Sequence, residues 1–254
     1  MDGPTDGKSS MWFVTKQKKL NRRRFQFLIL LLFSTSLISL KTFKKVYIRD
    51  IRISGSKIFS QDDLVKNSSL KLPSHLILIK TNLLEKELKE NLSLKNIFVS
   101  RQMFPFGLKV QIQTRTPIAY GERILGGKKI LGFIDKEGVF INKKNVDKKF
   151  LSKFTLTVFG WEKKFQKRLS KILSVQDAYG LELIKIVFSP NGFLTIEEKE
   201  LKTIYLGFNP SLINYQLEII KNLRYEFNRI NFSEKIENID LSDPNKPKIK
   251  VFKP

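Results

Sequence analysis

The 254-residue sequence contains no cysteine and a single histidine, His75. The lack of cysteine excludes disulfide bonds, thiolate metal sites and cysteine nucleophiles. One histidine leaves no histidine pair for a metal ion and at most one Ser-His-Asp arrangement. His75 follows Pro73-Ser74 in a stretch typical of a loop, which does not favour a catalytic role. We therefore expect no metal site and no cofactor.

Two other patterns associated with catalysis are incomplete. Gly126-Gly127-Lys128-Lys129 is not a phosphate-binding loop, because that motif needs a glycine where Glu122 stands and a serine or threonine where Lys129 stands. Glu197 and Glu198 are neighbours on a predicted strand, so their side chains point to opposite faces and cannot flank one substrate. The sequence predicts a protein that is not an enzyme and has no small-molecule substrate.

Long apolar runs are scarce, and only Phe25–Leu40 has sixteen uncharged, mostly apolar residues in a row. At about 1.5 Å per residue this run spans roughly 24 Å as a helix, against about 30 Å for a hydrocarbon core. Lys41 can extend the run by burying its stem and lifting its ammonium group to the headgroups. We predict a transmembrane helix at residues 25–42, with these anchoring residues: Phe25, Leu28, Leu32, Leu37 and Leu40.

Two alternatives to a permanent anchor are a cleaved signal peptide and a buried core helix. Leu40-Lys41 ends the run where a signal peptide would have small residues, and core helices seldom lack charge over four turns. The basic cluster at residues 16–24 precedes the run, which places residues 1–24 in the cytoplasm as a basic tail. The expected location is therefore the plasma membrane, with one span and the bulk of the chain outside.

The formal net charge of +23 raises the possibility of nucleic-acid binding. The lysines, however, are scattered through the predicted strands and helices, and no aromatic-plus-basic stacking motif is present. We interpret most of the positive charge as belonging to solvated faces. The function that we expect for the rest is attraction to anionic lipid headgroups or to an acidic partner. No nucleic-acid partner is expected, although a membrane-tethered nucleic-acid binder stays an alternative.

Residues 46–118 predict the element order β-α-α-β-β. Alternating apolar residues from Val46 to Ile53 indicate a strand, with a phase slip at Arg49-Asp50 that suggests a bulge. Ser60 is the expected N-cap of a first helix, and Thr81 that of a second helix. The second helix has a leucine stripe and a predicted Glu85–Lys89 pair on its solvent face. Two strands follow this helix. The buried positions expected on the helix and the strands are Leu84, Leu88, Leu92, Ile97, Val99, Leu108, Val110 and Ile112.

From residue 119 onward the sequence predicts mostly strands, with two amphipathic helices. Gly126-Gly127 is expected to turn a hairpin. The first helix is marked by Trp161, Phe165, Leu169 and Ile172. The second follows the Asn209-Pro210 cap, with a stripe at Ile213, Leu217, Ile220, Leu223 and Phe227. A final hairpin joins residues 236–241 and 248–251. A curved mixed sheet with two helices on one face follows from this order.

The order of these blocks after an apolar segment resembles the bacterial cell-division protein family FtsQ (DivIB). The resemblance rests on Ile51–Leu64, on Leu84 and Leu88, on Val99, Arg101, Pro105 and Leu108, on Thr114–Ala119 and on Ile134–Ile141. One departure is Thr114, which stands where the family usually has glutamate, so a carboxylate pairing at that position is in doubt.

The resemblance implies an α+β chain with four parts. They are a cytoplasmic tail (1–24), a transmembrane helix (25–42), a POTRA domain (43–118) and an FtsQ-type β domain (119–254). It also implies a non-catalytic divisome scaffold that binds FtsB/FtsL-type coiled coils, with septal peptidoglycan synthase components as further partners, at the division septum. POTRA units also occur in polypeptide transport and outer-membrane assembly, which is the alternative function.

Partner binding is expected where the sheet ends. A last strand leaves an open edge, which can accept an extended segment from another chain. The resemblance places partner contacts at Ser242, Asp243, Lys248, Ile249 and Val251, although Ile249 and Val251 could equally close the core. Pro244 and Pro247 remove backbone donors and confine pairing to residues 248–252. The edge near Val46–Ile53 is a second candidate.

Overall fold

The computed structural model describes residues 22, 24–36, 44–150, 154–176, 178–229 and 236–252. Residues 24–36 form helix α1, on which Phe25, Leu28 and Leu32 are 64%, 55% and 67% exposed. The anchoring residues Leu37 and Leu40 lie outside the described residues. Among the helices that the structure describes, none combines the length and the apolar character needed to cross a bilayer. The predicted transmembrane helix therefore stays a prediction.

The first folded unit has the predicted β-α-α-β-β order plus a small two-stranded ribbon. Its elements are β1 (Lys45–Val46), β2 (Ile51–Ser54), α2 (Gln61–Lys66), β3 (Ser74–His75), α3 (Thr81–Asn91), β4 (Asn96–Gln102) and β5 (Gly107–Gln113). The main sheet has the order β2-β5-β4, with β2 parallel and β4 antiparallel to β5. The ribbon pairs β1 with β3.

The predicted leucine stripe and the last strand build the core of this unit. Leu84, Leu88 and Leu92 are 5% exposed or less, and they pack with the alternating residues of β5. Glu85, however, is not paired with Lys89. Its Oε1 accepts the backbone N–H of Val99 at 2.6 Å, which ties α3 to β4. A backbone N–H on the neighbouring strand, and not the solvated Lys89, is therefore the partner of this carboxylate.

Two local predictions in this unit were wrong. The phase slip at Arg49-Asp50 is not a bulge but a 3₁₀ turn over Ile48–Asp50, which separates β1 from β2. The Asp50 carboxylate accepts the Tyr47 N–H at 2.8 Å and closes this turn. Helix α3 begins at Thr81 itself, and Lys80 is its N-cap without a side-chain bond. Ser60, by contrast, caps α2 as predicted.

The second unit is a nine-stranded mixed sheet with two helices. Its elements are β6 (Pro117–Leu125), β7 (Lys128–Asp135), β8 (Phe140–Asn142), β9 (Thr157–Phe159), α4 (Gln166–Gln176), β10 (Leu183–Phe188), β11 (Leu194–Glu198), β12 (Lys202–Gly207), α5 (Ile213–Arg229), β13 (Ile236–Asp240) and β14 (Lys248–Val251). The strand order is β14-β13-β12-β11-β10-β9-β6-β7-β8. Both helices share one core with this sheet.

The amphipathic patterns located these helices with one shift. Helix α4 begins at Gln166, so Trp161 and Phe165 precede it, with Phe165 at the end of a 3₁₀ turn. Both are nevertheless part of the core, and Trp161 donates from Nε1 to the Gly138 carbonyl at 2.8 Å. On α5, Ile213, Leu217 and Ile220 are at most 1% exposed. The two remaining stripe residues of α5 are partly buried against the same core.

Arg115 and Asn145 make side-chain contacts that join the units. Arg115 lies between β5 and β6, and its Nη1 contacts Asp135 at 2.5 Å and Glu137 at 2.7 Å. Asn145, buried after β8, donates to the carbonyl of Leu92 at the end of α3 at 3.0 Å. Although residue 114 is threonine and not glutamate, Arg115 still pairs with two carboxylates, one on β7 and one on the turn that follows it.

Candidate partner-binding edge

Strand β14 lies at one end of the nine-stranded sheet. It pairs antiparallel with β13 on one side, and within the described residues no strand covers its other side. In such a strand, alternate N–H and C=O groups face away from the sheet. The open edge that the chain order predicted is therefore present at residues Lys248–Val251.

The turn that leads into β14 is held by its own side chains. The Asp240 carboxylate accepts the N–H of Ser242 at 2.9 Å, and the Asp243 carboxylate accepts the N–H of Asn245 at 3.1 Å. The carbonyl of Asp243 accepts the N–H of Lys246 at 3.1 Å. These Asx-type bonds fix the approach of the chain to the edge, since they satisfy the backbone locally.

The two faces of β14 differ. Ile249 stands opposite the buried Ile239, so both lie on the core face, yet Ile249 is 41% exposed, and no strand of the described ranges lies beyond it. Lys250 is on the other face, where its Nζ contacts the Glu237 carboxylate at 2.8 Å. An added strand could thus cover an apolar side chain on one face and meet lysines on the other.

The structure brings the five predicted partner-binding residues into one hairpin, but not into one patch. Ser242 and Asp243 are exposed in the turn, while Lys248, Ile249 and Val251 are on the strand. Val251 is the least exposed of the strand residues. The second candidate edge differs from the prediction, because Val46–Ile53 is divided by the 3₁₀ turn and only Ile51–Ser54 belongs to the main sheet.

A buried glutamine on α5 positions this hairpin and was missed in the sequence. Gln216 is fully buried, and its Nε2 donates to the carbonyls of Leu206 at 2.7 Å and Leu241 at 2.8 Å. It therefore ties α5 to the ends of β12 and β13. Its position could have revealed it: three residues after Ile213 and four before Ile220, a side chain lies on the apolar stripe.

A buried arginine stabilises the neighbouring end of β12. Arg168 on α4 is 6% exposed and donates to the carbonyls of Gly207 at 3.1 Å and Phe208 at 3.4 Å. Burial lowers its pKa to about 10, because desolvation disfavours the charged form. The guanidinium group remains charged near neutral pH and donates to both carbonyls at this end of β12.

The described residues offer little for metal chemistry. No group of three or more His, Cys, Asp or Glu side chains in the described ranges is arranged to hold a metal ion. His75 lies on β3 of the two-stranded ribbon, where it stands opposite Lys45. Gly126 and Gly127 form the predicted hairpin turn, with φ of +57° and +76°. The arrangement at β14 favours binding of a polypeptide.

Three strands in the order β2-β5-β4, sharing one core with two helices, define the first unit as a POTRA-type module. Residues 46–115 match the family described as POTRA domain, FtsQ-type. Over these residues the match confirms the resemblance to the FtsQ/DivIB family. A comparison with curated proteins gives no match. POTRA domains are generally non-catalytic interaction modules, and an FtsQ-type one implies protein–protein interaction in cell division.

Proposed function

We propose that the protein is a non-catalytic, single-pass membrane scaffold of the bacterial divisome. Residues 25–42 anchor it in the plasma membrane with the amino terminus in the cytoplasm, and the two folded units lie outside at the division septum. It binds FtsB/FtsL-type coiled coils there and links early to late septation proteins, including septal peptidoglycan synthase components. The observation that carries this proposal is an FtsQ-type POTRA domain on a chain in which β14 is an edge strand among the strands that the structure describes.

The binding step that we propose is strand addition at β14. A segment of the partner pairs with the outward backbone groups of Lys248–Val251 and covers Ile249, while Ser242 and Asp243 contact its end. Main-chain hydrogen bonds supply affinity in this mode, and side-chain contacts such as that with Ile249 supply specificity. The rigid turn before β14 supports this, since a pre-ordered edge loses less conformational entropy on binding.

Two experiments test the proposal. A fluorescent fusion of the full chain should form a band at mid-cell in dividing cells, and a uniform membrane signal would contradict the septal role. In a pull-down against FtsB- and FtsL-type partners, Ile249→Asp should weaken binding about tenfold or more, which corresponds to about 1.4 kcal/mol. The matched control is Ile184→Asp on β10, because Ile184 is also 41% exposed but lies away from the edge. Equal binding by both variants would exclude β14.

A further inference from the structure

Three segments of the POTRA unit meet at one end of it, which we call the entry pole: residues 44–50, 71–80 and 101–106. β1 pairs with β3, so Lys45 stands opposite His75. Arg101 donates from Nε and Nη2 to the carbonyl of Ile79 at 3.2 and 2.7 Å. The Lys44 ammonium lies 5.5 Å from the ring centre of Phe106. The chain enters the folded unit at this end and leaves for the nine-stranded sheet at the other.

The entry pole exposes large apolar side chains at two tips. In the 3₁₀ turn after β3, Leu76 and Ile79 are buried, whereas Ile77 and Leu78 between them are 63% and 67% exposed. At the tip of the β4–β5 hairpin, Phe104 is 76% exposed. Clustered exposed apolar residues on a folded domain mark a surface that contacts a membrane or another protein.

The charge around these tips is strongly positive. The three segments contain six basic residues and one acidic residue, Asp50. The Asp50 carboxylate is already engaged by the Tyr47 N–H at 2.8 Å. Beside the turn, a shallow groove is lined by both kinds of side chain, among them Lys71, Leu78, Lys80 and Leu83. Apolar tips with a cationic rim complement the interface of a bilayer that contains anionic lipids.

The position of the pole in the chain selects lipid rather than protein as its occupant. If residue 42 ends the anchor, only two Cα steps separate it from Lys44, which is at most about 7 Å of extended chain. The entry pole then lies at the headgroup layer. This step rests on the proposed function, because it requires that residues 25–42 span the membrane.

We propose that the entry pole docks on the outer surface of the membrane, with Ile77, Leu78 and Phe104 inserted among the headgroups and the neighbouring cations on lipid phosphates. The POTRA unit is thereby held in one orientation on the bilayer. The short link alone would restrict its distance from the membrane but not its tilt.

The chain has no cysteine of its own, so a single introduced cysteine can be labelled site-specifically to test the docking. The full chain is reconstituted in nanodiscs of mixed phosphatidylglycerol and phosphatidylcholine, with an environment-sensitive fluorophore on Ile77→Cys or Phe104→Cys. The matched control is Phe208→Cys, which is 57% exposed on the second unit. The two pole probes should show blue-shifted emission and at least a twofold greater loss of intensity with doxyl-labelled lipid than the control probe.

Each result decides the proposal. If the probes at the entry pole show the same emission and quenching as the control probe in pure lipid, the proposal is wrong. If their blue shift requires an added division protein, the entry pole binds that protein and not lipid. A chain that does not remain with the nanodiscs refutes the anchor itself, and the docking with it. Failure of the divisome role is distinguishable, because it removes the mid-cell band and the pull-down while leaving the lipid quenching unchanged.

Discussion

At the scale of single residues, the two neighbouring glutamates of β11 have opposite environments. Glu198 is fully buried, and its carboxylate accepts the N–H groups of Glu200 and Leu201 at 2.8 Å and of Glu182 at 3.1 Å. Arg224 on α5 lies 3.4 Å away from it. A buried charge needs this many partners, because its transfer from water is otherwise very costly. Glu198 therefore orders the turn after β11 and fixes α5 to the sheet.

We predict that Glu198→Ala lowers the free energy of unfolding by about 3–5 kcal/mol, because it leaves three backbone donors without their acceptor and removes one of the two carboxylates that Arg224 contacts. Glu197→Ala is the control, since this half-buried neighbour points to the other face; its effect should stay below about 1 kcal/mol. Urea denaturation followed by circular dichroism measures both. Similar losses for the two variants would contradict the assigned role of Glu198.

Glu137 provides a prediction about pH. Its hydrogen bond with Arg115 holds the pKa of this carboxyl below its usual value of 4.5. A carboxyl whose pKa is lowered in the folded state stabilises the protein above its unfolded-state pKa, and the contribution is lost as pH falls through the folded-state pKa. Because Glu137 is 58% exposed, the pair contributes only about 0.5 kcal/mol. Glu137→Gln should therefore be less stable than the parent at pH 7, and the difference in stability should shrink as the pH falls through the lowered pKa of Glu137, as measured by thermal unfolding. A stability difference that persists in acid would exclude this ion pair as its cause.

At the scale of elements, helix α2 has only six residues and depends on its first turn. Ser60 accepts the N–H of Asp63 at 3.2 Å, and the Asp63 carboxylate accepts the N–H of Ser60 at 2.9 Å. This reciprocal capping box satisfies donors that a short helix cannot pair internally. The backbone N–H and the hydroxyl of Ser60 both donate to the Asp63 carboxylate, and they lower its pKa.

We predict that Ser60→Ala destabilises the protein by about 1 kcal/mol, because it removes the N-cap acceptor. Ser100→Ala on β4 is the control, since that half-buried serine is not at a helix end, and its effect should be within about 0.5 kcal/mol. Hydrogen exchange of the α2 amides distinguishes local from global loosening. Unchanged exchange rates in the Ser60 variant would refute the importance of the cap.

The elements show which features a sequence can predict. Periodic burial located α3, β5, α5 and the last hairpin, because each has a face that the core must cover. The open edge at β14 also followed from chain order. The sequence did not predict the pairings between distant segments. β9 lies between β6 and β10, parallel to both, and β1 pairs with β3. Strands of two or three residues carry too little pattern, and Gln216 was missed because only the apolar members of its stripe were considered.

At the scale of the whole molecule, the link between the two units is short and rigidly held. Arg115 is only 9% exposed, and of its two carboxylates Asp135 is buried and Glu137 is exposed. The Asp135 carboxylate also accepts the N–H of Val139 at 2.7 Å, which shapes the turn after β7. Together with the contact between Asn145 and Leu92, this arginine couples the POTRA unit to the sheet that carries the partner edge.

The coupling predicts that Arg115→Met loosens the orientation of the two units while each keeps its fold. The change leaves the buried Asp135 carboxylate without its cation, at a cost of about 3 kcal/mol. Spin labels on Lys86→Cys and Lys171→Cys, both exposed helix positions on different units, report the inter-unit distance in a chain without other cysteines. The distance distribution should broaden in Arg115→Met. It should stay narrow in Arg52→Met, because the bonds that Arg52 makes to Gln102 and Pro105 lie within the POTRA unit. If both distributions match that of the parent, the arginine does not set the angle between the units, and a partner bound at β14 would have to be positioned relative to the membrane by other contacts.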